Sequence, residues 1–339
     1  MQLILHEYIL PLAHPFTIAR GSLTEQHSLI VELRDGAHRG YGEAPLSDYY
    51  DATLERVRTA LESARAVVES YPLTDPSALW AATAPLLAQH PFAHSALDCA
   101  AHDLWGKKLG QPVHRLWGLD AATAPASSYT IGIDTLDVMI AKLRERPHWP
   151  VYKVKVGTPQ DLEVVRALRQ QTTAPLRVDA NCGWSAEEAI GLASTLRDLG
   201  VEFIEQPLPP EDIAGQARVF RESALPIIAD ESCENEADVD ACAGRFHGIN
   251  IKLCKCGGLT PARRMIARAR ALGLRLMVGC MTESTVGISA AAQIAPLMDF
   301  VDLDGAALLA ADAATGVRVA DGQFHFPDLP GCGVELLPR

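Results

Sequence analysis

Short apolar runs rich in β-branched residues recur along the middle of the chain, and each run ends at a charged residue. The segments KVKVG, VDANCGW, IEQPLPP, IADES and NIKLCKCGG place these charges at intervals of 22 to 26 positions, at Lys155, Asp179, Glu205, Asp230 and Lys252. One strand, one helix and two loops occupy about 20 to 30 residues. The pattern therefore predicts a (β/α) barrel, in which the carboxyl ends of all strands open onto one face.

The same spacing extends to both sides of these segments. Predicted strands end at Thr130, Lys155, Asp179, Glu205, Asp230, Lys252, Cys280 and the Asp302/Asp304 pair. Apolar positions on one helical face predict helices at 159–171, 185–199, 211–222, 236–243, 261–272 and 284–295, with a last helix that is short or absent. Residues 121–315 therefore form the predicted barrel, a modified TIM barrel of the α/β class.

The first 120 residues follow a different pattern. Alternating apolar and polar positions predict strands at 2–9, 28–34 and 38–43, and helical spacing follows at 51–70 and from 94 to 116. After Thr315 the pattern of strands and turns returns. We therefore expect an α+β domain at 1–120, which residues 316–339 complete by packing back against it.

The composition is that of a globular protein with room for a large core. Of the 339 residues 48% are apolar, the formal charge is −12, and no Lys/Arg-rich stripe is present that would neutralise nucleic-acid phosphates. The eight cysteines lack the spacing of a disulfide scaffold or a zinc site, which favours reduced thiols in a cytoplasmic protein. No signal-peptide pattern opens the chain, and no apolar run reaches the roughly 18 residues of a membrane span. We expect neither a nucleic-acid nor a membrane partner.

Three acidic residues on consecutive predicted strands, Asp179, Glu205 and Asp230, indicate a site for a divalent cation. A single acid after a strand more often caps the next helix, but three in consecutive units favour a shared metal site. Carboxylate oxygens without histidine or cysteine are the ligands that Mg²⁺ prefers. We therefore expect one Mg²⁺ per subunit.

Lysines flank the three acids. Lys153 and Lys155 lie two positions apart, so they share a face of their strand. If that face is the barrel interior, burial and the neighbouring charge should lower the pKa of at least one of them, as a lysine base requires. Lys252 lies about three to four strands away, across the mouth of the predicted barrel. Two lysines placed in this way can remove a proton from one face of a carbon and return it to the other.

Asp302 and Asp304 are also two positions apart at the end of the last predicted strand, in FVDLDG. Paired carboxylates at a barrel mouth can form a second metal site or bind a cationic group of a substrate. Strand-end acids that serve solubility and cap a helix are the alternative, and the sequence leaves these choices open.

Together these motifs resemble those of the enolase superfamily, specifically its muconate-lactonizing subgroup. KVKVG is similar to the lysine base motif, DANCGW, EQP and DES to the metal-ligand segments, and NIKLCKCGG to the strand of the opposing lysine. HSALDCAAHDLWGKKLGQPVHRLWG resembles the helix and turn that join the capping domain of that family to its barrel. The resemblance covers almost the whole chain. It implies Asp179, Glu205 and Asp230 as metal ligands and Lys155 and Lys252 as catalytic bases.

Within this subgroup, FVDLDG resembles the DxD motif of the dipeptide epimerase family. The resemblance implies that Asp302 and Asp304 hold the α-ammonium group of a dipeptide. YTIG and GCMTES are similar to the segments that line the substrate in that family, which places Thr130, Cys280 and Thr282 near the dipeptide together with Lys153. HPFTIARGSL resembles the loop that recognises glutamate in Ala-Glu epimerases. Arg20 is the candidate for this recognition of glutamate. The alternative is that Arg20 is a surface residue.

The resemblance implies an isomerase, a Mg²⁺-dependent dipeptide epimerase that inverts the C-terminal residue through an enediolate by two-lysine 1,1-proton transfer. L-Ala-L-Glu is the expected substrate. The alternatives are a cycloisomerase or an o-succinylbenzoate synthase-type dehydratase of the same subgroup, and a barrel that only binds its ligand. The sequence leaves open the dipeptide preference, the pathway and the oligomeric state, a homo-oligomer included.

Overall fold

The computed structural model describes residues 1–338, and the chain begins with a three-stranded antiparallel sheet. Its strands are β1 (Gln2–Ile18), β2 (Gly21–Asp35) and β3 (His38–Pro45). Strands were expected in these regions, but β1 and β2 form a much longer hairpin than 2–9 and 28–34. The outer half of this hairpin is largely exposed, so its sequence lacks the apolar alternation of a half-buried strand. Ala19 and Arg20 form the turn at its tip.

Four helices follow this sheet: α1 (Leu54–Ser70), α2 (Pro76–Leu87), α3 (Pro91–Leu109) and α4 (Val113–Leu116). Helices α1 and α3 pack against the sheet, and α2 packs against both of these helices. The buried helix α3 packs closely on β3, where a Cβ atom at Gly42 would lie 2.1 Å from the backbone oxygen of Ala96. The sequence did not predict α2. Its start signals are present, since Asp75 caps the helix and Pro76 follows. Most of its other residues are apolar, so they define no periodic face.

Within residues 1–338, eight parallel strands form a second sheet in sequential order. They are β4 (Tyr129–Ile131), β5 (Tyr152–Lys155), β6 (Leu176–Asp179), β7 (Val201–Glu205), β8 (Ile227–Ala229), β9 (Gly248–Ile251), β10 (Arg275–Gly279) and β11 (Phe300–Asp302). A bridge between Ser127 and Val301 joins the first strand region to the last, so the sheet curls into a nearly closed barrel. This confirms the predicted fold class.

Helices surround the barrel: α5 (Leu136–Glu145), α6 (Asp161–Arg169), α7 (Ala186–Asp198), α8 (Ile213–Glu222), α9 (Glu236–Cys242), α10 (Leu253–Cys256), α11 (Leu259–Ala271) and α12 (Thr285–Ala292). The six predicted barrel helices are present, and the last strand is followed by a 3-10 turn, Gly305–Leu308, in place of a longer helix. Two helices were missed. One is α5, and the other is the single turn α10, which directly follows Lys252, the end of the predicted strand.

The C-terminal segment contacts both parts of the protein. It contains β12 (Ala314–Thr315), β13 (Arg318–Ala320), β14 (Gln323–His325) and β15 (Glu335–Leu336). The amide of Cys332 donates a hydrogen bond to Asp103 on α3, and Lys107 of the same helix donates to the backbone oxygen of Val334. These contacts pack the segment against the N-terminal part. Residue 339 of the predicted 316–339 segment lies outside the described residues.

Apolar side chains fill part of the barrel interior. Phe203, Ile228 and Met277 are fully buried there as one cluster. None of the helices within residues 1–338 combines the length and the apolar composition that crossing a membrane requires.

Candidate active site

One cavity of about 680 Å³ lies where the carboxyl ends of the barrel strands meet the N-terminal part. The β1–β2 hairpin and residues 46–54 cover it from above. Every residue that was predicted to be catalytic or substrate-binding lines this cavity: Arg20, Thr130, Lys153, Lys155, Lys252, Cys280, Thr282, Asp302 and Asp304. The cavity therefore collects side chains that are up to 284 positions apart in the sequence.

Asp179, Glu205 and Asp230 form a buried row beside the cavity. Each offers a carboxylate oxygen, and these oxygens lie within 4.8 Å of one another. Burial and the charge of Asp179 raise the pKa of Glu205 to about 7, against the opposing effect of Lys153. For Asp179, burial acts to raise the pKa, but Lys155 and Lys153 outweigh it and lower the pKa to about 2. The row is thus a concentration of negative charge that needs cations for its stability.

The three carboxylates fit a hard divalent cation such as Mg²⁺. Glu205 Oε1 accepts a hydrogen bond of 2.7 Å from Asn250, whereas its other oxygen, Oε2, is buried, accepts no well-aligned hydrogen bond and has the ammonium of Lys153 2.9 Å away. Lys153 divides its single charge among Glu205, Asp179 and Asp302, so the buried carboxylates would still be stabilised by a further cation. The donor set is made of oxygen alone, as Mg²⁺ requires.

Lys153 lies at the centre of the acidic groups. Its Nζ is 2.6 Å from Asp302 Oδ2, 2.9 Å from Glu205 Oε2 and 3.2 Å from Asp179 Oδ2. Burial would lower the pKa of Lys153, but the charges of Asp302, Glu205 and Asp179 outweigh it and raise the pKa well above the ordinary value. The lowering expected from two adjacent lysines is therefore not found for Lys153, because its nearest charged neighbours are carboxylates.

Lys155 and Lys252 flank the acidic row from opposite ends. Lys155 Nζ donates a hydrogen bond of 2.7 Å to Asp179, and Lys252 Nζ donates one of 2.8 Å to Asp230. Strands β6, β7 and β8 lie between the strands that carry them. Both lysines line the cavity, so a small molecule within it can contact one lysine on each side.

Asp302 and Asp304 lie on the side of the cavity near β4, and both are buried. Ser128 donates a short hydrogen bond to Asp302. Asp304 accepts one of 2.6 Å from the amide of Thr130 and one of 3.3 Å from its hydroxyl. Burial and the charge of Asp302 raise the pKa of Asp304 to about 7. No lysine or arginine within residues 1–338 forms an ion pair with Asp304, whereas Asp302 is paired with Lys153.

Arg20 reaches into the cavity from the tip of the β1–β2 hairpin. Its Nη1 atom lies 2.6 Å from Glu231 Oε1 and donates a hydrogen bond of 3.2 Å to the backbone oxygen of Asn181. The guanidinium also lies 4.2 Å from the centre of the Tyr49 ring. Arg20 therefore lines the cavity with a partly exposed side chain, and its charge is already partnered by a buried carboxylate. Cys280 and Thr282 line the far wall, next to β10.

Several site residues were missed by the sequence analysis: Asn181, Glu231, Asn250 and Lys255. Lys255 donates hydrogen bonds to the carboxylate and the backbone oxygen of Asp230, both at 2.5 Å. The sequence contained a signal for it, since Lys255 follows Lys252 by three positions, which is nearly one helical turn. Because the turn α10 was not predicted, this spacing could not be used to place Lys255 beside Lys252.

Comparisons with known proteins agree with this architecture. Residues 2–118 match the family model described as mandelate racemase / muconate lactonizing enzyme, N-terminal domain, and residues 138–339 match the model described as enolase C-terminal domain-like. An L-Ala-D/L-amino acid epimerase from Flavobacterium johnsoniae is 50% identical over 99% of this chain and 100% of its own length. An L-Ala-D/L-Glu epimerase from Bacteroides thetaiotaomicron is 41% identical over 98% of this chain and 88% of its own.

A solved structure shares the whole fold. It is a dipeptide epimerase from Enterococcus faecalis in complex with Mg and the dipeptide L-Leu-L-Tyr. Its TM-score to this chain is 0.93, with 30% sequence identity and 98% of each chain covered.

Proposed function

Because this chain belongs to the mandelate racemase / muconate lactonizing enzyme family of the enolase superfamily, we propose that it is a Mg²⁺-dependent dipeptide epimerase. The reaction inverts the C-terminal residue of a dipeptide, so the enzyme is an isomerase. The observation that carries this proposal is the placement of Lys155 and Lys252 at opposite ends of three buried carboxylates, with one cavity between them.

The α-proton next to a carboxylate is a very weak acid, because its removal leaves an enediolate with two negative charges. When bound by Asp179, Glu205 and Asp230, Mg²⁺ supplies positive charge next to the substrate carboxylate as that charge develops. Lys153 is fully buried among the same acids and keeps a permanent positive charge at the site. The site therefore offers fixed cations, and the two remaining lysines can exchange protons.

Lys155 and Lys252 are the proposed bases. One neutral lysine takes the α-proton on its side, and the protonated lysine on the opposite side delivers a proton to the other face of the same carbon. In the reverse reaction, the two lysines exchange the roles of proton acceptor and proton donor. A single base cannot invert a carbon in this rigid arrangement, since it reaches only one face.

Asp304 is the proposed partner of the dipeptide's α-ammonium group. Asp302 lies next to it but is neutralised by Lys153, so Asp304 is the carboxylate with charge left for a substrate. Thr130 orients Asp304 through its amide and hydroxyl. A cycloisomerase or dehydratase substrate without an amine would leave this acid without a function, which supports the dipeptide.

For the dipeptide itself we propose L-Ala-L-Glu, or another dipeptide with a small N-terminal residue. Arg20 lines the cavity and offers a planar guanidinium that suits a carboxylate side chain. Its Nη1 atom is engaged by Glu231, so a substrate carboxylate would use the remaining donors of the same group.

We also propose that the enzyme works in the cytoplasm. Its eight cysteines are free, and six of them are buried. Thiols of this kind persist where the compartment is reducing.

Exchange with deuterated water tests the function directly. The purified protein is incubated with Mg²⁺ and L-Ala-L-Glu in D₂O, and NMR follows the α-positions of both residues. Deuterium should enter the C-terminal α-position alone, together with formation of L-Ala-D-Glu, and a chelator should stop both. No exchange across a dipeptide library, with turnover of a muconate-type or cyclohexadiene acid, would establish the alternative reaction instead.

A further inference from the structure

Asp230 is held by two lysines, and only one of them faces the cavity. Lys252 Nζ donates to Asp230 Oδ2 at 2.8 Å, and Lys255 Nζ donates to Oδ1 at 2.5 Å. Lys252 lines the cavity, whereas Lys255, which is also described, does not and has a side chain only 1% exposed. A molecule in the cavity can therefore touch Lys252 but not Lys255.

The backbone explains how both lysines reach one carboxylate. Lys252 has extended backbone geometry after β9, and α10 then turns the chain so that the side chain of Lys255 also reaches Asp230. Gly257 and Gly258 end the turn with φ of 92° and 113°, which side chains rarely adopt. A Cβ atom at Gly258 would lie 2.5 Å from Asp98 Oδ2 on α3. The turn is thus fixed between the barrel and the N-terminal part.

Lys255 does more than neutralise the charge of Asp230. Besides Asp230 Oδ1, its Nζ donates to the backbone oxygen of Asp230 at 2.5 Å and to that of Cys233 at 3.2 Å. Its three protons are therefore all used, and two of them fix the backbone of the loop that follows β8. An ammonium that served only to neutralise Asp230 would not need the two carbonyl groups.

We propose that Lys255 is a positioning residue that holds the Asp230 carboxylate in the orientation for metal binding, independently of Lys252. This inference rests on the proposed metal site. Lys252 lines the cavity and is the proposed base, so its ammonium also has to serve the substrate, whereas Lys255 does not line the cavity. Groups behind a metal ligand that fix its orientation typically contribute 10- to 100-fold to metal affinity.

A pure charge effect predicts the opposite sign. A buried ammonium next to a dication repels it, so its removal should strengthen metal binding if only charge matters. Loss of orientation should weaken binding, because Asp230 Oδ1 and two carbonyl groups lose their donor. Metal affinity therefore separates the two roles, without any need for turnover.

The test measures Mn²⁺ binding by electron paramagnetic resonance in the wild type, Lys255→Met and Lys252→Met. We expect Lys255→Met to weaken binding by about tenfold or more, and Lys252→Met to bind as tightly as the wild type or more tightly. Equal or tighter binding by Lys255→Met would overturn the inference. If the wild type itself binds no Mn²⁺, the proposed metal site fails, which is a different result.

Isotope exchange adds a second readout. Lys255→Met should slow α-proton exchange of both epimers by the same factor, since both share one metal site, whereas loss of Lys252 should stop exchange of one epimer. Lys255→Arg guards against a variant that fails to fold, as judged by circular dichroism. Its planar group keeps the charge but does not match the three acceptors, so Mn²⁺ binding should again be weaker. Wild-type affinity in Lys255→Arg would show that charge suffices, and the positioning role would fall.

Discussion

Lys153 Nζ donates a hydrogen bond of 2.6 Å to Asp302 Oδ2, and this contact joins the second strand of the barrel to the last. One of the two acids that the DxD pattern offers to a substrate amine is thereby neutralised within the protein. The other, Asp304, accepts hydrogen bonds from Thr130 and has no cationic partner among the described residues. The pair is thus divided into a structural acid and an available one.

Asp304→Asn should weaken the recognition of the free amine while it preserves the contacts with Thr130. Hydrogen bonds to a charged group contribute about 1.5–3 kcal/mol, so kcat/KM for L-Ala-L-Glu should fall by about tenfold to a hundredfold. N-Acetyl-L-Ala-L-Glu should show a similar loss with the wild type. In Asp304→Asn, acetylation of the substrate should lower kcat/KM little further, because the acetyl group and the mutation remove the same contact. Full additivity of the two losses would contradict this role of Asp304.

The activity should depend on pH through the same carboxyl group. Burial and Asp302 raise the pKa of Asp304 to about 7, so below pH 7 the group is neutral and binds an ammonium weakly. The profile of kcat/KM should therefore rise with pH up to about 7 and fall again as the α-amino group of the dipeptide, with an ordinary pKa of about 8, loses its proton. The acidic limb should be absent or shifted in Asp304→Asn. A limb that stays unchanged in this variant belongs to another group.

The three acids beside the cavity should each be required for metal binding. Asp179→Asn, Glu205→Gln and Asp230→Asn remove one charged ligand each at almost constant shape, and each should lower Mg²⁺ affinity by more than the roughly 10- to 100-fold that loss of a group behind a ligand costs. Calorimetry measures this directly. Chelation should abolish the activity of the wild type, and added Mg²⁺ should restore it. Activity that survives exhaustive dialysis against a chelator would refute the metal site.

Lys155 and Lys252 should act on different epimers of the substrate. Since they lie at opposite ends of the acidic row, replacement of either by alanine should abolish net epimerisation. The remaining lysine should still exchange the α-proton of one epimer with D₂O, without inversion. The resemblance to dipeptide epimerases implies that Lys155 acts on the D-residue and Lys252 on the L-residue, so Lys155→Ala should retain exchange of the L-residue and Lys252→Ala that of the D-residue. If both variants label both epimers at equal rates, the two-base mechanism is wrong.

The positions of the barrel residues were predictable because strand ends follow from chain periodicity. Each predicted strand end lies within two residues of the observed end, as for Lys155 at the end of β5 and Asp230 directly after β8. Parallel strands in a barrel bring their carboxyl ends together whatever the details of packing. The cavity and its acidic row could therefore be anticipated.

The partners of these residues could not be predicted in the same way. The pairing of Lys153 with Asp302 spans 149 positions and depends on how the barrel closes, which periodicity does not specify. The lowering of the pKa expected for at least one of the two lysines is absent at Lys153 for this reason, since the sequence showed an adjacent lysine but not the carboxylates around it. Lys255 was missed because α10 is a single turn, too short to show a helical pattern.

Arg20 should set the preference for the residue that is inverted. Because its Nη1 atom is held by Glu231, whose carboxylate is buried, the guanidinium is a partly satisfied cation. Arg20→Met should lower kcat/KM for L-Ala-L-Glu by about tenfold or more, the loss of a charge-assisted contact. L-Ala-L-Leu should be affected by less than about threefold, since its side chain gains nothing from a guanidinium.

Glu231→Gln is the matched variant, because it keeps the shape and removes the competing charge. The freed guanidinium should then bind a substrate carboxylate more strongly, so the ratio of kcat/KM for L-Ala-L-Glu over L-Ala-L-Leu should rise. The ratio is the proper measure, since Glu231 follows Asp230 directly and any disturbance of the metal site affects both substrates alike. If Arg20→Met instead lowers kcat/KM equally for both substrates, Arg20 only anchors the hairpin to the loops of Glu231 and Asn181. The preference for glutamate would then be wrong, while the two-lysine chemistry would stand.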